Sequence, residues 1–478
     1  MSARFSAGQA AWAAGAQLLS GSPEQPFEGA FTDSRNPVRG ALFVALVGER
    51  HDGSRFAADA ARAGAAGVLV PAAAAARVRE ELAAQGLAPA VLAAADTGRA
   101  LGGLAHAWRE SLRSLRVVCV TGSTGKTSTK ELVAAVLETS GPALKTEGNL
   151  NNEVGVPLTL LRLSPEHKHA VVEAGMNHLG EIARLAGWID PDVGLVTNVG
   201  PVHLEGTGSL DGVAYAKGEL FHALREGATA IANADDPRVL QQARLSHRRL
   251  ISFGASDAAD VHLISAHHGG PGLRVELAFP DGKTRRAELQ LIGTHNGYNA
   301  VAAAAVGFAL GLDPEKIVRG LGNARTTGRR MRPVWLQGGG MLIDDCYNAN
   351  PQSTKAALLT LMHLVRGKGR AIAVLGDMLE LGPTELDLHR DVGRFAAGAG
   401  LALLVCFGQR ARAIGEGATE AGIAPDHVEY AEEPAQAVEI VRRHARPEDV
   451  ILVKGSRGMK MERISDPLAG APPEQGAH

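Results

Sequence analysis

The sequence predicts an α/β protein of three domains, and three observations carry that reading. Short apolar runs such as "ALFVAL", "RVVCVTG", "HAVVEAG", "VGLVTNVG" and "LALLVCFG" recur along the chain, each followed by Gly or polar residues and a helical stretch. That alternation marks mostly parallel sheets covered by helices. A length of 478 residues exceeds what one hydrophobic core usually organises. One region alone, "DVHLISAHHGGPGLRVELAFPDGKTRRAELQLIG", switches to period-two alternation with Gly, Pro and Asp turns, which predicts antiparallel strands at one side of the middle domain.

Taken in order, "ALFVAL" and "AAGVLV" read as strands with the helix "RFAADAARAGA" between them. "PAAAAARVREELAAQG" is also helix material, because alanine, Arg and Glu are good helix formers. The polar stretch "HAWRESLRSLR" leads into Val117 and sets a first boundary, giving a domain over residues 1–113. A second domain, 114–326, holds the strands "RVVCVTG", "HAVVEAG", "VGLVTNVG" and "ATAIANADD", then the antiparallel region and the closing helix "NGYNAVAAAAVGFALGL". A third, 327–465, repeats the alternation through "GMLIDDCYNAN", "RAIAVLGDM", "LALLVCFG" and "VILVKGSRG". Residues 466–478 read as a disordered tail.

Hydrophobic content of 45% with 21% charged residues describes a globular protein. A net charge of −2 gives no electrostatic reason to expect nucleic acid or an anionic membrane. Cys119, Cys346 and Cys406 lie far apart without C-x-x-C spacing, so a disulfide framework or zinc site is not expected and a reducing cytoplasm fits. The N-terminus lacks the apolar core of a signal peptide, and no window has the length to span a bilayer. The expectation is a cytoplasmic protein.

The chemistry begins at "VVCVTGSTGKTSTKELV", Val117 to Val133. Gly122 and Gly125 let the backbone curl so that N–H groups face an anion, while Lys126 adds a point charge at a helix start. Thr127 places a hydroxyl where a phosphate-bound magnesium would sit. The strict phosphate-loop pattern wants glycine where this chain has Val120, so the loop is a shortened one. Glu173 ends a buried strand and can hold magnesium at the carboxyl edge of the sheet, or simply face solvent. His203 alone reads as loop surface and Lys217 as an exposed helix lysine. Asn296 reads as a helix cap, and "YNANP" as a polar turn capping a helix.

"TGSTGKTSTK" resembles the loop of the Mur ligase superfamily, ATP-dependent enzymes that join an amine to a carboxylate, and further motifs follow in the family's order over some 430 residues. The resemblance implies a UDP-substrate-binding first domain, a phosphate-loop ATPase-like centre and a Rossmann-like third domain. It implies that Gly122, Ser123, Thr124, Gly125, Lys126, Thr127 and Ser128 bind ATP. Glu173, with Thr127, would hold a first Mg²⁺, and His203 in "TNVGPVHLEG" would help bind a second. Lys217 would join the metal site, carbamylated as in several family members, because an ammonium there would be repelled. Asn296 and Asn299 would meet the adenine. Arg330, favoured over Arg329 by its spacing to Pro333, would meet phosphate, and Asp345 the ribose or a metal-bound water. Lys126, Glu173, His203 and Lys217 form the implied catalytic set.

The first-domain segment "TDSRNPVRGALFVALVGERHDG" resembles the uridine-nucleotide-binding domain of the members that add the third residue and the terminal dipeptide. Ser34 and Arg35 would meet the UDP portion, Thr146, Asn149 and Asn152 the sugar-peptide, and Asn348 and Asn350 the cleft. The third-residue enzymes carry a "DNPR" signature; this chain has "DDCYNANPQS" instead, followed by "GDMLELG" and "KGSRGMKME". This set resembles the branch that joins D-alanyl-D-alanine to UDP-N-acetylmuramoyl-tripeptide. The implied cofactors are ATP and two Mg²⁺ ions, and the implied working form is a monomer whose third domain rotates about residues 325–333. Rival readings are a third-residue-adding, folylpolyglutamate-synthase-like or cyanophycin-type ligase, a nucleotide-gated regulatory protein and a phosphate-loop kinase. The "DSR" segment speaks against the folylpolyglutamate and cyanophycin types, the four catalytic-set residues against the regulator, and the Asn and Asp elements against the kinase.

Overall fold

A computed structural model of the chain describes residues 3–48, 51–269, 272–325, 328–337, 339–365 and 369–470. Three large sheets organise it. In the first, strands Ala30–Phe31, Leu42–Val44, Gly67–Pro71 and Ala90–Ala94 run parallel, and Gln17–Ser20 pairs antiparallel with the last of them. The alanine-rich run forms the helix Ala75–Ala84.

The central sheet has nine strands. Arg116–Thr121 lies between His169–Glu173 and Val193–Val196, parallel to both. Register places Glu173 opposite Val120 and Val196 opposite Thr121. The phosphate loop therefore leaves the sheet flanked by Glu173 on one side and Thr197 on the other. The period-two region forms Val261–Gly269, Gly272–Ala278 and Thr284–Leu289, paired antiparallel at the far side of this sheet. The third sheet runs parallel through Met341–Asp345, Val450–Lys454, Ala371–Gly376, Leu401–Phe407 and Val428–Ala431, with Arg332–Trp335 antiparallel at its edge.

Two local expectations give way to tertiary packing. "HAWRESLRSLR", read as the polar approach to a boundary, is mostly the last turns of the helix Thr97–Ser111, whose N-terminus Asp96 caps. This helix wedges between the first two domains. Glycine at 102 leaves room for the Trp188 ring, and glycine at 103 lets the backbone approach the Ala13 carbonyl, where any Cβ would collide. Trp108 donates to the Leu163 carbonyl (3.0 Å) and buried Arg109 to the Ile189 carbonyl (3.0 Å). One apolar core consequently runs from Phe5 and Phe27 through Leu104 to Leu185.

The second correction concerns the tail. Residues Glu462–Ala469 form a helix with Ser465 and Asp466 buried, so ordered structure passes residue 465. Residues 471–478 lie outside the described residues. Ile292, from the central domain, is buried in the core of the third and joins the two. Residues 326 and 327 of the expected hinge lie outside the described residues.

Candidate active site

The carboxyl edges of the central and third sheets face each other across a cleft of about 900 Å³. Its floor is the loop between Arg116–Thr121 and the helix Lys126–Leu137. Gly125 adopts φ +79°, and a Cβ there would lie 2.6 Å from Asn299 Oδ1; at Gly122 a Cβ would strike the Thr197 hydroxyl. Both positions thus need glycine for conformation and for space.

Ser123 and Thr124 donate their backbone N–H groups inward, to the Asn198 carbonyl (2.9 Å) and the Asn198 Oδ1 (2.9 Å). The helix's own first bond is Thr129 N–H to the Gly125 carbonyl (2.8 Å), so the N–H groups of Lys126, Thr127 and Ser128 precede it and can serve an anion. Lys126 Nζ donates to the Gly122 carbonyl (2.7 Å). Burial pushes its ammonium below the ordinary lysine range, and Glu173 partly offsets this.

Glu173 is almost fully buried. Its Oε2 accepts from the Thr127 hydroxyl (2.8 Å) and its Oε1 from Asn151 Nδ2 (2.9 Å). A hydroxyl and a carboxylate held together at a phosphate loop fit Mg²⁺, which takes one or two carboxylates and completes its octahedron with water and phosphate oxygens. Thr146 stands behind this pair. It is 1% exposed, its hydroxyl accepts from Glu173 N–H (2.9 Å), and its carbonyl accepts from Lys130 Nζ (2.6 Å). It braces the strand end that carries Glu173.

Lys217 also departs from its residue-level reading. It is 1% exposed, and among the described residues no carboxylate pairs with it. Burial, with the Lys126 charge adding to it, holds its pKa well below the ordinary range. His203, at φ +55°, turns its Nδ1 to Glu380 Oε2 (3.3 Å) across the cleft. The His203 contact holds the Glu380 carboxyl below its usual range. Among the described residues no three His, Cys, Asp or Glu side chains gather as a metal cage.

Asn296 and Asn299 both line the cleft, yet much of their bonding is internal. Asn296 donates to the Ile292 carbonyl (2.7 Å), Asn299 donates to Asn296 (2.8 Å), and Asn299 Oδ1 accepts from Thr129 (3.1 Å). The cap residue of that helix is His295 and not Asn296. Burial pushes His295 down to about 4, so it is neutral near pH 7.

In the third domain the doubled arginine separates cleanly. Arg329 is tied to Asp466 (2.7 and 2.9 Å) and Asp344 (3.0 Å). Burial alone would lower it, but those carboxylates hold it above its ordinary value. Arg330 instead lies over the Tyr347 ring (3.9 Å) and lines the cleft. Asp345 accepts from Lys454 Nζ (2.7 Å) and from Met331 N–H (3.1 Å). Asn348 presents its carbonyl to Lys454 (2.8 Å). Asn350 caps the helix Pro351–Leu364 through Ser353, as the turn reading of "YNANP" had it, while also facing the cleft.

Asn149 and Asn152 reach the cleft margin, Asn152 also accepting from Gly155 N–H (2.9 Å). Ser34 and Arg35 do not reach it; Arg35 is exposed and paired with Asp33 (2.9 Å) in the first domain. Sequence reasoning missed Asn151, Asn198, His295 and Glu380. Asn151 stood between two chosen asparagines, and nothing local distinguished it.

Profiles described as the Mur ligase middle domain and as the Mur ligase, glutamate ligase domain match residues 120–307 and 329–457. A UDP-N-acetylmuramoyl-tripeptide–D-alanyl-D-alanine ligase of Escherichia coli is 40% identical over 436 residues, covering 91% of this chain and 92% of that one. The crystal structure of MurF from Acinetobacter baumannii superposes with a TM-score of 0.88 at 32% identity, over 98% and 99% of the two chains. MurF from Thermotoga maritima, in complex with ADP, superposes with a TM-score of 0.80 at 26% identity, over 92% and 97%. With relatives of this identity matched over nine-tenths or more of both chains, the chain belongs to the Mur ligases, in the family of the UDP-N-acetylmuramoyl-tripeptide–D-alanyl-D-alanine ligases.

Proposed function

We propose that the protein joins D-alanyl-D-alanine to the terminal carboxylate of UDP-N-acetylmuramoyl-tripeptide, converting ATP to ADP and phosphate. The observation that carries this reading is one cleft uniting a phosphate loop, the Thr127–Glu173 pair and, from the opposite domain, Arg330. A carboxylate is a poor electrophile. Its oxygen attacks the ATP γ-phosphorus, the bond to ADP breaks, and an acyl phosphate results. The dipeptide amine, having lost a proton, then bonds to the acyl carbon and phosphate leaves.

Lys126 and the helix N-terminus offset charge as it gathers on the phosphoryl oxygens, where fixed donors act most strongly. Arg330 supplies the matching charge from the third domain. Asn151 and Thr127 orient Glu173, and Thr146 with Lys130 holds that strand end from behind. Mg²⁺, held by Thr127 and Glu173, would supply charge neutralisation between the phosphates. Lys217 is buried, burial holds its pKa well below the ordinary lysine range, and among the described residues no carboxylate pairs with it. Its amine, once deprotonated, would add CO₂ with loss of a further proton, and the carbamate so formed, with His203, would extend the metal site. Ser34 and Arg35 would meet the UDP end, and Asn149 and Asn152 the sugar-peptide.

The chain would act as a monomer in the cytoplasm, since each cleft lies within one chain. Among the described residues no helix is long and apolar enough to cross a membrane. The test is ADP release with ATP and Mg²⁺, supplying tripeptide and dipeptide separately and together. Turnover that needs both, with a product mass gain of one dipeptide, is expected. Activity on a dipeptide donor, or on folate with glutamate, would overturn the reading in favour of a sister ligase.

A further inference from the structure

Val120 stands where the strict phosphate-loop pattern has its first glycine, yet here it lies inside the strand Arg116–Thr121, paired with Glu173 and Leu195. The strand thus continues where a full-length loop would already have left the sheet. Four residues, Gly122 to Gly125, separate its end from the helix Lys126–Leu137. A loop so short has few donors with which to organise itself, and both of its glycines take positive φ, +147° and +79°. Its path must be fixed from outside.

Asn198 fixes it through Thr124. The Asn198 Oδ1 accepts from Thr124 N–H (2.9 Å) and from the Thr124 hydroxyl (3.1 Å), and Asn198 Nδ2 donates to the Thr124 carbonyl (3.2 Å). One side chain engages every polar group of one loop residue, much as a strand neighbour exchanges both backbone bonds. The amide can face only one way, because the N–H needs an acceptor and the carbonyl a donor. Aspartate would set an acceptor against that carbonyl. The Thr197 hydroxyl adds a second bond to the same carbonyl (2.6 Å). The backbone that carries Asn198 is itself anchored. The Thr197 carbonyl accepts from Asn233 Nδ2 (3.0 Å), Val199 N–H donates to Asp236 (2.7 Å), and Gly200 N–H donates to the Ser123 hydroxyl (2.8 Å). Asn198 is the fixed partner and the loop is the held one.

We infer that Asn198 is a positioning residue for nucleotide binding. It holds Thr124, and so the turn at Gly125, in the geometry that aims the Lys126 ammonium and the free N–H groups of the helix start at the phosphates. The inference rests on the ATP-dependent ligase reading above and adds a residue that acts on the nucleotide through the loop. It also accounts for the shortened loop: a neighbouring strand end supplies by side chain the support that a longer loop draws from its own backbone.

The test uses the full-length protein as wild type, Asn198→Ala and Thr197→Val. Titration calorimetry gives the ADP affinity, and steady-state kinetics gives KM for ATP, UDP-tripeptide and dipeptide. Asn198→Ala removes three hydrogen bonds and should weaken ADP binding and raise KM for ATP by about 10- to 100-fold, with the other two KM values within about twofold of wild type. Thr197→Val keeps the side-chain shape and removes one bond. It should shift the two nucleotide parameters by about 3- to 10-fold, and it decides alone if Asn198→Ala does not fold. Nucleotide parameters at wild-type values in both variants would overturn the role of Asn198. Equal shifts for all three substrates, the mark of a residue that only supports the fold, would overturn it too. Wild type that binds no ADP would overturn the reading of the site and the inference together.

Discussion

Asp466 lies where the sequence reads as the start of a disordered tail, yet its carboxylate grips both terminal nitrogens of Arg329, at 2.7 and 2.9 Å. Replacing it with alanine removes two charge-assisted hydrogen bonds of about 1.5–3 kcal/mol each before compensation. Asp344 still neutralises Arg329 at 3.0 Å, so the loss stays below the roughly 3–5 kcal/mol of a buried charge left wholly unpaired. Arg329 is also about one-fifth exposed, and water takes up part of the vacancy. The net expectation for Asp466→Ala is about 2–3 kcal/mol, and for Asp466→Asn about half that. For a domain of this size the larger loss lowers the melting temperature by roughly 5–10 °C. Scanning calorimetry should place the shift in the transition of the third domain, because a multidomain chain need not melt in one step. The KM for ATP should rise as well: the Arg329 carbonyl accepts from Tyr347 N–H (3.1 Å), and Tyr347 carries the stacked Arg330. Both variants falling within about 0.5 kcal/mol of wild type, with KM unmoved, would refute the argument.

Three further outcomes follow from the same geometry. Lys126→Met should lower kcat by about 10²–10³-fold while the melting temperature holds, as expected for a charge acting on the transition state; steady-state kinetics with calorimetry checks it. Gly125→Ala forces a Cβ into φ +79° and against Asn299, so it should cost about 1–3 kcal/mol and abolish ADP binding measured by titration calorimetry. His295 is held near 4 against an ordinary value of 6.5, so the folded state binds fewer protons than the unfolded state between those limits. Its contribution is complete above pH 6.5 and is lost as pH falls toward 4, by about 2–3 kcal/mol. The difference in urea stability between wild type and His295→Gln across pH 7 to 4 should show that slope, and parallel curves would exclude it.

Much of this protein is determined locally. The strand–Gly122–Gly125–Lys126 turn, the alternation of apolar strands and helices, the antiparallel side of the central sheet and the strand-end Glu173 are each written in a short window. Their causes are short-range: side-chain periodicity, glycine conformations and the free N–H groups of a helix start. The tertiary structure decided what depends on distant partners. Thr146 looks polar and accessible until Glu173 and Lys130 close on it. Lys217 reads as surface until its helix is buried against the central sheet. The spacing to Pro333 favours Arg330 for the cleft, and the tertiary structure supplies the reason: Asp466, 137 positions away, takes Arg329 and leaves Arg330 free to line the cleft. Burial and charge pairing are properties of the surroundings, and only folding brings those surroundings together.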